Sequence, residues 1–182
     1  MVHTLESIPV PAGWAFQLRN EPTLQLQYER SWRDALPPRR LPLGLGFDVI
    51  PHAGFALGNV YTYANAGATA RVGVDLPQDY GPPRLGPSVP ATAFFESDKR
   101  VGWYLFASVE GRAVARNLFL DGNTFVDSRR VTKIPFIADV QGGLAITVRA
   151  VRISYTQIWR SREFAGQPSP DQFGVVTLSV RW

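Results

Sequence analysis

Two histidines are the side chains of this 182-residue sequence that could act as general bases near neutral pH. His3 lies in a Val-His pair upstream of Gly13-Trp14, and His52 follows Pro51 inside an alternating segment. Two histidines are too few for a poly-histidine metal site. The sequence has no cysteine, which excludes a disulfide framework and a cysteine-ligated zinc site. By type and placement alone, His52 is interpreted as a polar residue of a sheet.

A cationic cluster follows the turn signal Asp121-Gly122-Asn123 and consists of Arg129, Arg130 and Lys133. Guanidinium groups bind phosphate through paired hydrogen bonds, so the cluster is a candidate phosphate site. An ordinary charged loop is the alternative interpretation. Asp121, Asn123 and Asp127 offer spaced oxygen ligands of the kind that calcium prefers, but they match no EF-hand loop.

Composition predicts a folded chain, because 45% of the residues are hydrophobic and only 19% are charged. The formal net charge of +4 is too small to predict nucleic-acid binding by itself. No apolar run approaches the roughly 18 residues of a transmembrane helix. The first residues, MVHTLESIPVPAGW, lack a basic region followed by an apolar stretch, so no signal peptide is expected in this sequence.

Alternation with a period of two dominates the sequence and predicts strands. Between Trp103 and Ala115, for example, odd positions are apolar or small, and even positions include Glu110 and Arg112. Gly58-Asn59 and other glycine- and proline-containing segments separate the alternating stretches. The pattern predicts an antiparallel all-β meander of about seven strands, at residues 15–33, 44–57, 60–76, 102–118, 134–148, 150–163 and 172–182.

Which face of these strands meets water decides the class of protein. The polar positions carry both charge signs, which suits the lumen of a membrane barrel and also the wet face of a soluble sandwich. The strands are long, and aromatic residues cluster near their ends, as interfacial girdles require. These features favour an outer-membrane β-barrel. In the C-terminal strand they predict that Val176, Leu178, Val180 and Trp182 face outward, and that Thr177, Ser179 and Arg181 face inward.

Several uncommon segments resemble the outer-membrane lipid A 3′-O-deacylase family. The most specific is the segment from Tyr104 to Asp127, YLFASVEGRAVARNLFLDGNTFVD. The later segments RISYTQIWRSREF, from Arg152, and DQFGVVTLSVRW, from Asp171, are similar to the same family. Further matches are GNVYTYANAG, from Gly58, and the segment around Asn20-Glu21-Pro22. The resemblance covers essentially the whole sequence.

The resemblance implies a barrel of about twelve strands, of which this sequence holds the C-terminal part as one domain, residues 1–182. The N-terminal strands, with several active-site residues of the family, are expected to be missing. The sequence is therefore expected to be a fragment, a late-start gene product or the product of a degenerate gene. About seven strands alone cannot close an even-numbered bacterial barrel.

The resemblance also implies a site and its partners. His3 matches the catalytic base of the family, which takes a proton from water as that water attacks an acyl ester. Calcium is the implied cofactor, with ligands mainly in the missing half, and Arg129, Arg130 and Lys133 are the expected lipid A phosphate ligands. The expected location is the outer membrane of a Gram-negative bacterium. The expected partners are lipopolysaccharide, outer-membrane lipids and the barrel-assembly machinery, and no nucleic acid.

Two other functions stay open at this point. One is a non-catalytic outer-membrane barrel, either porin-like or a scaffold. The other is a soluble lipid-binding β-sandwich, because a sandwich strand also alternates between apolar and polar residues. The position of His3 is what separates the enzyme from the non-catalytic barrel within this sequence.

Overall fold

One antiparallel sheet of eight strands forms the protein in the computed structural model, which describes residues 17–33, 35–77, 79 and 101–181. The order across the sheet is β1-β3-β4-β5-β6-β7-β8, and the two-residue β2 also pairs with β3. None of the helices in these ranges is long and apolar enough to cross a membrane. The strands are β1 Gln25–Ser31, β2 Arg39–Arg40, β3 Gly46–Gly58, β4 Tyr61–Val74, β5 Val101–Asn117, β6 Phe136–Val148, β7 Val151–Arg160 and β8 Asp171–Val180, with a 3-10 helix at Pro42–Gly44 and α1 at Leu118–Asp121.

The seven long strands are the meander that the alternation predicts, because each pairs antiparallel with its neighbour along the chain. The prediction of one strand over residues 15–33 was too long. β1 begins only at Gln25, because side chains occupy the backbone groups before it. The Leu24 N–H donates to the Asn59 side-chain oxygen at 2.8 Å, and the Asn59 amide donates to the Pro22 carbonyl at 2.8 Å.

The two faces of the sheet have opposite chemistry. On β5 the even-numbered Tyr104 is 1% exposed, whereas the odd-numbered Val109 is 57% exposed. On β8, Val176 is 71% exposed and Ser179 is 4% exposed, which confirms their predicted faces. Arg181 was predicted to face inward, but it lies beyond the end of β8 and is exposed, and Trp182 lies outside the described residues. Aliphatic and aromatic residues thus dominate the exposed face. The buried face holds polar and charged residues, among them Asp48, His52, Asn65, Thr69, Arg71, Ser108, Arg112, Asp139, Gln141, Arg152 and Ser154.

This distribution is that of a barrel wall. A soluble sandwich would place apolar side chains between two sheets, but every strand of the described residues belongs to a single sheet. The polar face is buried because the sheet curls around it, and the apolar face is left outside. Within the described residues the sheet is not closed, and β1 and β8 are its two edges.

A carboxylate on the concave face links strands that are not neighbours. Asp79 follows β4, and its two oxygens form ion pairs with Arg71 of β4 and Arg152 of β7. Asp48 of β3 accepts a second pair of hydrogen bonds from Arg71, at 2.9 and 2.5 Å. The Tyr104 ring of β5 lies 5.4 Å from the Arg71 guanidinium carbon. Three strand spacings, about 14 Å, separate β4 from β7, and the two long arginine side chains span this distance by converging on one carboxylate.

Replacing Asp79 with alanine should destabilise the protein by roughly 3–5 kcal/mol, because buried guanidinium groups would lose their counter-charge. Urea unfolding in detergent micelles, followed by circular dichroism, measures the change. Asp127→Ala removes the same charge from an exposed loop position and should change the free energy of unfolding by less than about 0.5 kcal/mol. Equal effects of the two substitutions would contradict the structural role of Asp79.

Candidate functional site

The candidate residues from the sequence fall in two places. His3 lies outside the described residues, so its environment is untested. Arg129, Arg130 and Lys133 lie together in the segment between α1 and β6. This segment belongs to the end of the sheet that we call the loop end, formed by the Asn59–Val60 turn and the segments 118–135 and 161–170.

Glu21 is the centre of a hydrogen-bond cluster at the loop end. Its carboxylate accepts hydrogen bonds from the Asn123 amide at 3.0 Å, from the Thr124 N–H at 2.8 Å and from the Thr124 hydroxyl at 2.9 Å. The Asn123 bond, against the opposing effect of desolvation, is the main reason that the pKa of Glu21 is lowered. The segment before β1 is therefore fixed to the segment after α1.

Asn123 and Arg116 make further hydrogen bonds in this cluster. Asn123 also exchanges hydrogen bonds with the backbone of Arg19, at 3.0 and 2.8 Å. Arg116, at the end of β5, donates to the carbonyls of Asn59 and Gly122 at 3.0 and 3.1 Å. The sequence analysis identified Gly58-Asn59 and the Asp121-Gly122-Asn123 turn as breaks between strands, but it did not predict these hydrogen bonds. They were missed because the bonded residues are distant in sequence.

Lys133 differs from the two arginines of its cluster. Its ammonium group binds both carboxylate oxygens of Asp121, at 2.7 and 2.9 Å, and the pair is partly buried. Arg129 and Arg130 are exposed. Burial, the largest influence, raises the pKa of Asp121, but the hydrogen bonds from Lys133 and from the Asn117 N–H, with the nearby positive charges, lower it overall. Of the three cations, the arginines are the better placed to meet a phosphate.

His52 lies on the concave face, away from the loop end. Its Nε2 is 3.1 Å from a carboxylate oxygen of Glu110, which also accepts a hydrogen bond from the Asn65 amide at 3.3 Å. The neighbouring Gly67 makes room for the ring, because a Cβ there would lie 2.7 Å from the imidazole. His52 is 2% exposed, in agreement with its interpretation as a sheet residue.

Ion pairs lie next to His52 on the same face. Arg112 of β5 binds Asp139 of β6 at 2.7 Å, and Arg160 of β7 binds the same carboxylate at 2.9 Å. Arg112 also lies 3.5 Å from Glu110. Positive and negative side chains therefore alternate across three strands, β5 to β7, which neutralises charge that is withdrawn from water.

The outer face carries an open depression near the loop end. Its volume is about 640 Å³. Small residues form its floor, whereas larger residues cover the rest of the outer face. The strand residue Gly111 has nothing within 4 Å of the place where its Cβ would lie, so the space is open. The outward-facing lining comes from Ala64, Ala66, Gly111, Ala113, Phe136 and Ala138.

Comparison with known proteins agrees with this architecture. A family model described as "Outer membrane protein LpxR" matches residues 1–182. The chain belongs to the LpxR family. The resemblance noted from the segments around Tyr104 and Arg152 is thereby confirmed.

A solved structure titled "LpxR from Salmonella typhimurium" matches the fold with a TM-score of 0.79 at 20% sequence identity. The match covers 100% of this chain and 60% of that one, so this LpxR-family chain spans about three fifths of the length of the solved structure. A search of curated proteins found no match.

In this LpxR-family chain the lowered pKa of Asp121 gives a pH dependence. A carboxyl group whose pKa is lowered by folding stabilises the protein above its unfolded value of about 4, and the stabilisation is lost as the pH falls through the folded value. Asp121→Asn should therefore lower stability near pH 7 and cost less near pH 3. Urea unfolding at both pH values measures this, with Asp127→Asn as the control. A penalty of equal size at both pH values would exclude the ionised pair as its cause.

Proposed function

We propose that this chain is the C-terminal wall of an outer-membrane esterase that removes the 3′-linked acyloxyacyl chain from lipid A. The observation that carries the proposal is the family match over residues 1–182, joined to the family-like segment from Tyr104 to Asp127. The apolar outer face supports it, because such a face needs lipid around it. The proposed location is the outer membrane of a Gram-negative bacterium, reached through the barrel-assembly machinery.

The proposed chemistry is attack of water on an acyl ester. A neutral imidazole at His3 would remove a proton from the attacking water and later return a proton to the departing alcohol. The other polar groups of the site are proposed to come from strands that are absent from this sequence. The proposal therefore concerns the activity of a complete barrel, to which this chain would contribute the C-terminal wall.

Calcium remains part of the proposal, but the described residues do not fit a calcium site. They contain no group of three histidine or acidic side chains that could hold a metal. Asp121 is occupied by Lys133, and Asn123 by Glu21 and the backbone of Arg19. A required calcium ion would take its ligands from outside the described residues.

The loop end is the proposed surface for the substrate. Arg129 and Arg130 are exposed there and suit the phosphate groups of lipid A. The outward depression between Ala64, Ala113 and Phe136 lies at the same end, and its volume is about 640 Å³. We propose that the headgroup meets the arginines while a chain lies against the depression.

A non-catalytic scaffold barrel is the second candidate. The ion pairs of Asp79 and Asp139 favour a scaffold over a porin, because they fill the concave face that a porin leaves open to water. Release of fatty acid from lipid A separates the scaffold from the enzyme.

The full-length protein that contains this chain should release a fatty acid from lipid A in detergent, and a calcium chelator should stop the release. His3→Ala should lower the turnover roughly 10²- to 10⁴-fold, the usual contribution of a general base. Mass spectrometry of the lipid is the readout. His52→Gln, at the other histidine, is the matched control and should leave turnover close to wild type. Intact lipid A with the wild-type protein and calcium would leave the scaffold as the function.

Arg129→Gln with Arg130→Gln should raise the Michaelis constant and leave turnover nearly unchanged, if these residues bind phosphate in the ground state and the transition state alike. Initial rates over a range of lipid A concentrations separate the two parameters. Arg19→Gln with Arg162→Gln removes the same charge from other exposed positions at the loop end and serves as the control. A fall in turnover at constant Michaelis constant would give the arginines a different role.

A further inference from the structure

Among the described residues, the end of the sheet opposite the loop end is cationic. It comprises residues 39–46, 75–77 and 79, the Arg149–Ala150 turn and Arg181, and we call it the turn end. Its exposed ionic side chains in the described part of the chain are all arginines, and Asp75, which is half-buried, is the nearby acid. The exposed arginines are Arg39, Arg40, Arg149 and Arg181.

The loop end differs in its balance of charge. Its cations are accompanied there by Glu21, Asp121, Asp127, Glu163 and Asp171, and several form ion pairs, such as Lys133 with Asp121. At the turn end, Asp48 and Asp79 are buried and bound to Arg71 and Arg152. Within the described residues, no acidic side chain forms an ion pair with the four exposed arginines.

These arginines lie next to the apolar outer face of the sheet. Arg39 pairs with Phe47, whose side chain lies on the outer face. Arg149 forms the turn directly after Val148, which is 48% exposed, and the Arg181 N–H donates to the Ala150 carbonyl of that turn at 2.8 Å. Along the strands toward the turn end, the outward-facing aliphatic side chains come first and the guanidinium groups come last.

An aromatic side chain lies on the outer face close to the turn end. Trp103 faces outward on β5, is 39% exposed and pairs with Ile146 of β6, and Val101 and Val148 occupy the next outward positions toward the turn end. Tryptophan is enriched at the depth of lipid headgroups, where its ring is partly in hydrocarbon and partly in water. Trp103 therefore lies within a few residues of the arginines, as expected where the ends of strands meet lipid headgroups.

We propose that the turn end binds the headgroups of anionic glycerophospholipids. Guanidinium groups suit phosphodiesters because they combine a permanent charge with paired N–H donors. An anionic leaflet attracts each basic residue near its surface, and zwitterionic lipids do so less. The proposal does not depend on the esterase activity, since the loop end carries the proposed substrate site.

The spacing of the arginines favours several separate headgroups over one polyanionic ligand. Arg39 and Arg40 lie beside β3, whereas Arg149 lies at the end of β6. Because β2 lies on the side of β3 away from β4, four strand spacings, about 19 Å, separate Arg39 and Arg40 from β6. The arginines therefore line a rim that is much wider than one phosphate group. Single-phosphate lipids along the rim satisfy both positions.

Native mass spectrometry of the full-length protein in detergent, mixed with phosphatidylglycerol or phosphatidylcholine, tests the proposal. The wild-type protein should retain phosphatidylglycerol in preference. Arg39→Gln with Arg149→Gln should weaken that retention by roughly fivefold or more, given about 1 kcal/mol for each basic residue. The matched control, Arg19→Gln with Arg162→Gln, removes two exposed arginines from the loop end and should retain the lipid. Circular dichroism should show the same strand content in all three proteins.

Three results would overturn the proposal. The first is equal retention of the two lipids by the wild-type protein. The second is equal loss with both double variants, which would mean general electrostatic attraction. The third is displacement of phosphatidylglycerol by inorganic phosphate alone, which would identify a small-anion site.

Discussion

The ion pairs of Asp79 are the constraint on which the rest of the structure depends. One carboxylate that follows β4 joins Arg71 to Arg152, and neither arginine has access to water. Buried guanidinium groups are tolerable only when they are paired, so the sheet must hold β7 within reach of the residues after β4. Polar residues then turn inward, where they bind one another, and apolar residues turn outward. The ion pairs between Arg112, Asp139 and Arg160 repeat the arrangement nearer the loop end.

The curled sheet also separates two surfaces that differ in chemistry. At the loop end, Glu21, Asn59 and Asn123 replace strand pairing by side-chain hydrogen bonds, which fixes the segment before β1 without extending the strand. Exposed arginines and an apolar depression lie close to this cluster. At the turn end, the exposed charges of the described residues are all positive, and Trp103 lies close to them. The two ends of the sheet therefore offer different chemistry to their surroundings.

Sequence patterns predicted the local features and missed those that depend on distant partners. Alternation identified the seven long strands and the faces of Val176 and Ser179, because side chains in a strand point to opposite sides in turn. The beginning of β1 was wrong, since nothing near Leu24 shows that Asn59 binds its backbone. The role of Asp79 was not predicted, because it depends on Arg152, far along the chain. The family resemblance came from whole segments and was confirmed, whereas the role of His3 stays a prediction.

The directions of the two edge strands determine what can complete this sheet. In an antiparallel meander of seven strands, the first and last run the same way, so β1 and β8 are parallel to each other. A second copy of the chain, joined by its β1 to this β8, would make a parallel seam. An antiparallel closure needs an odd number of additional strands, whose total with these seven is even. This chain, with its seven long strands, matches 60% of the Salmonella typhimurium structure. The remaining 40% of that structure leaves room for about five such strands.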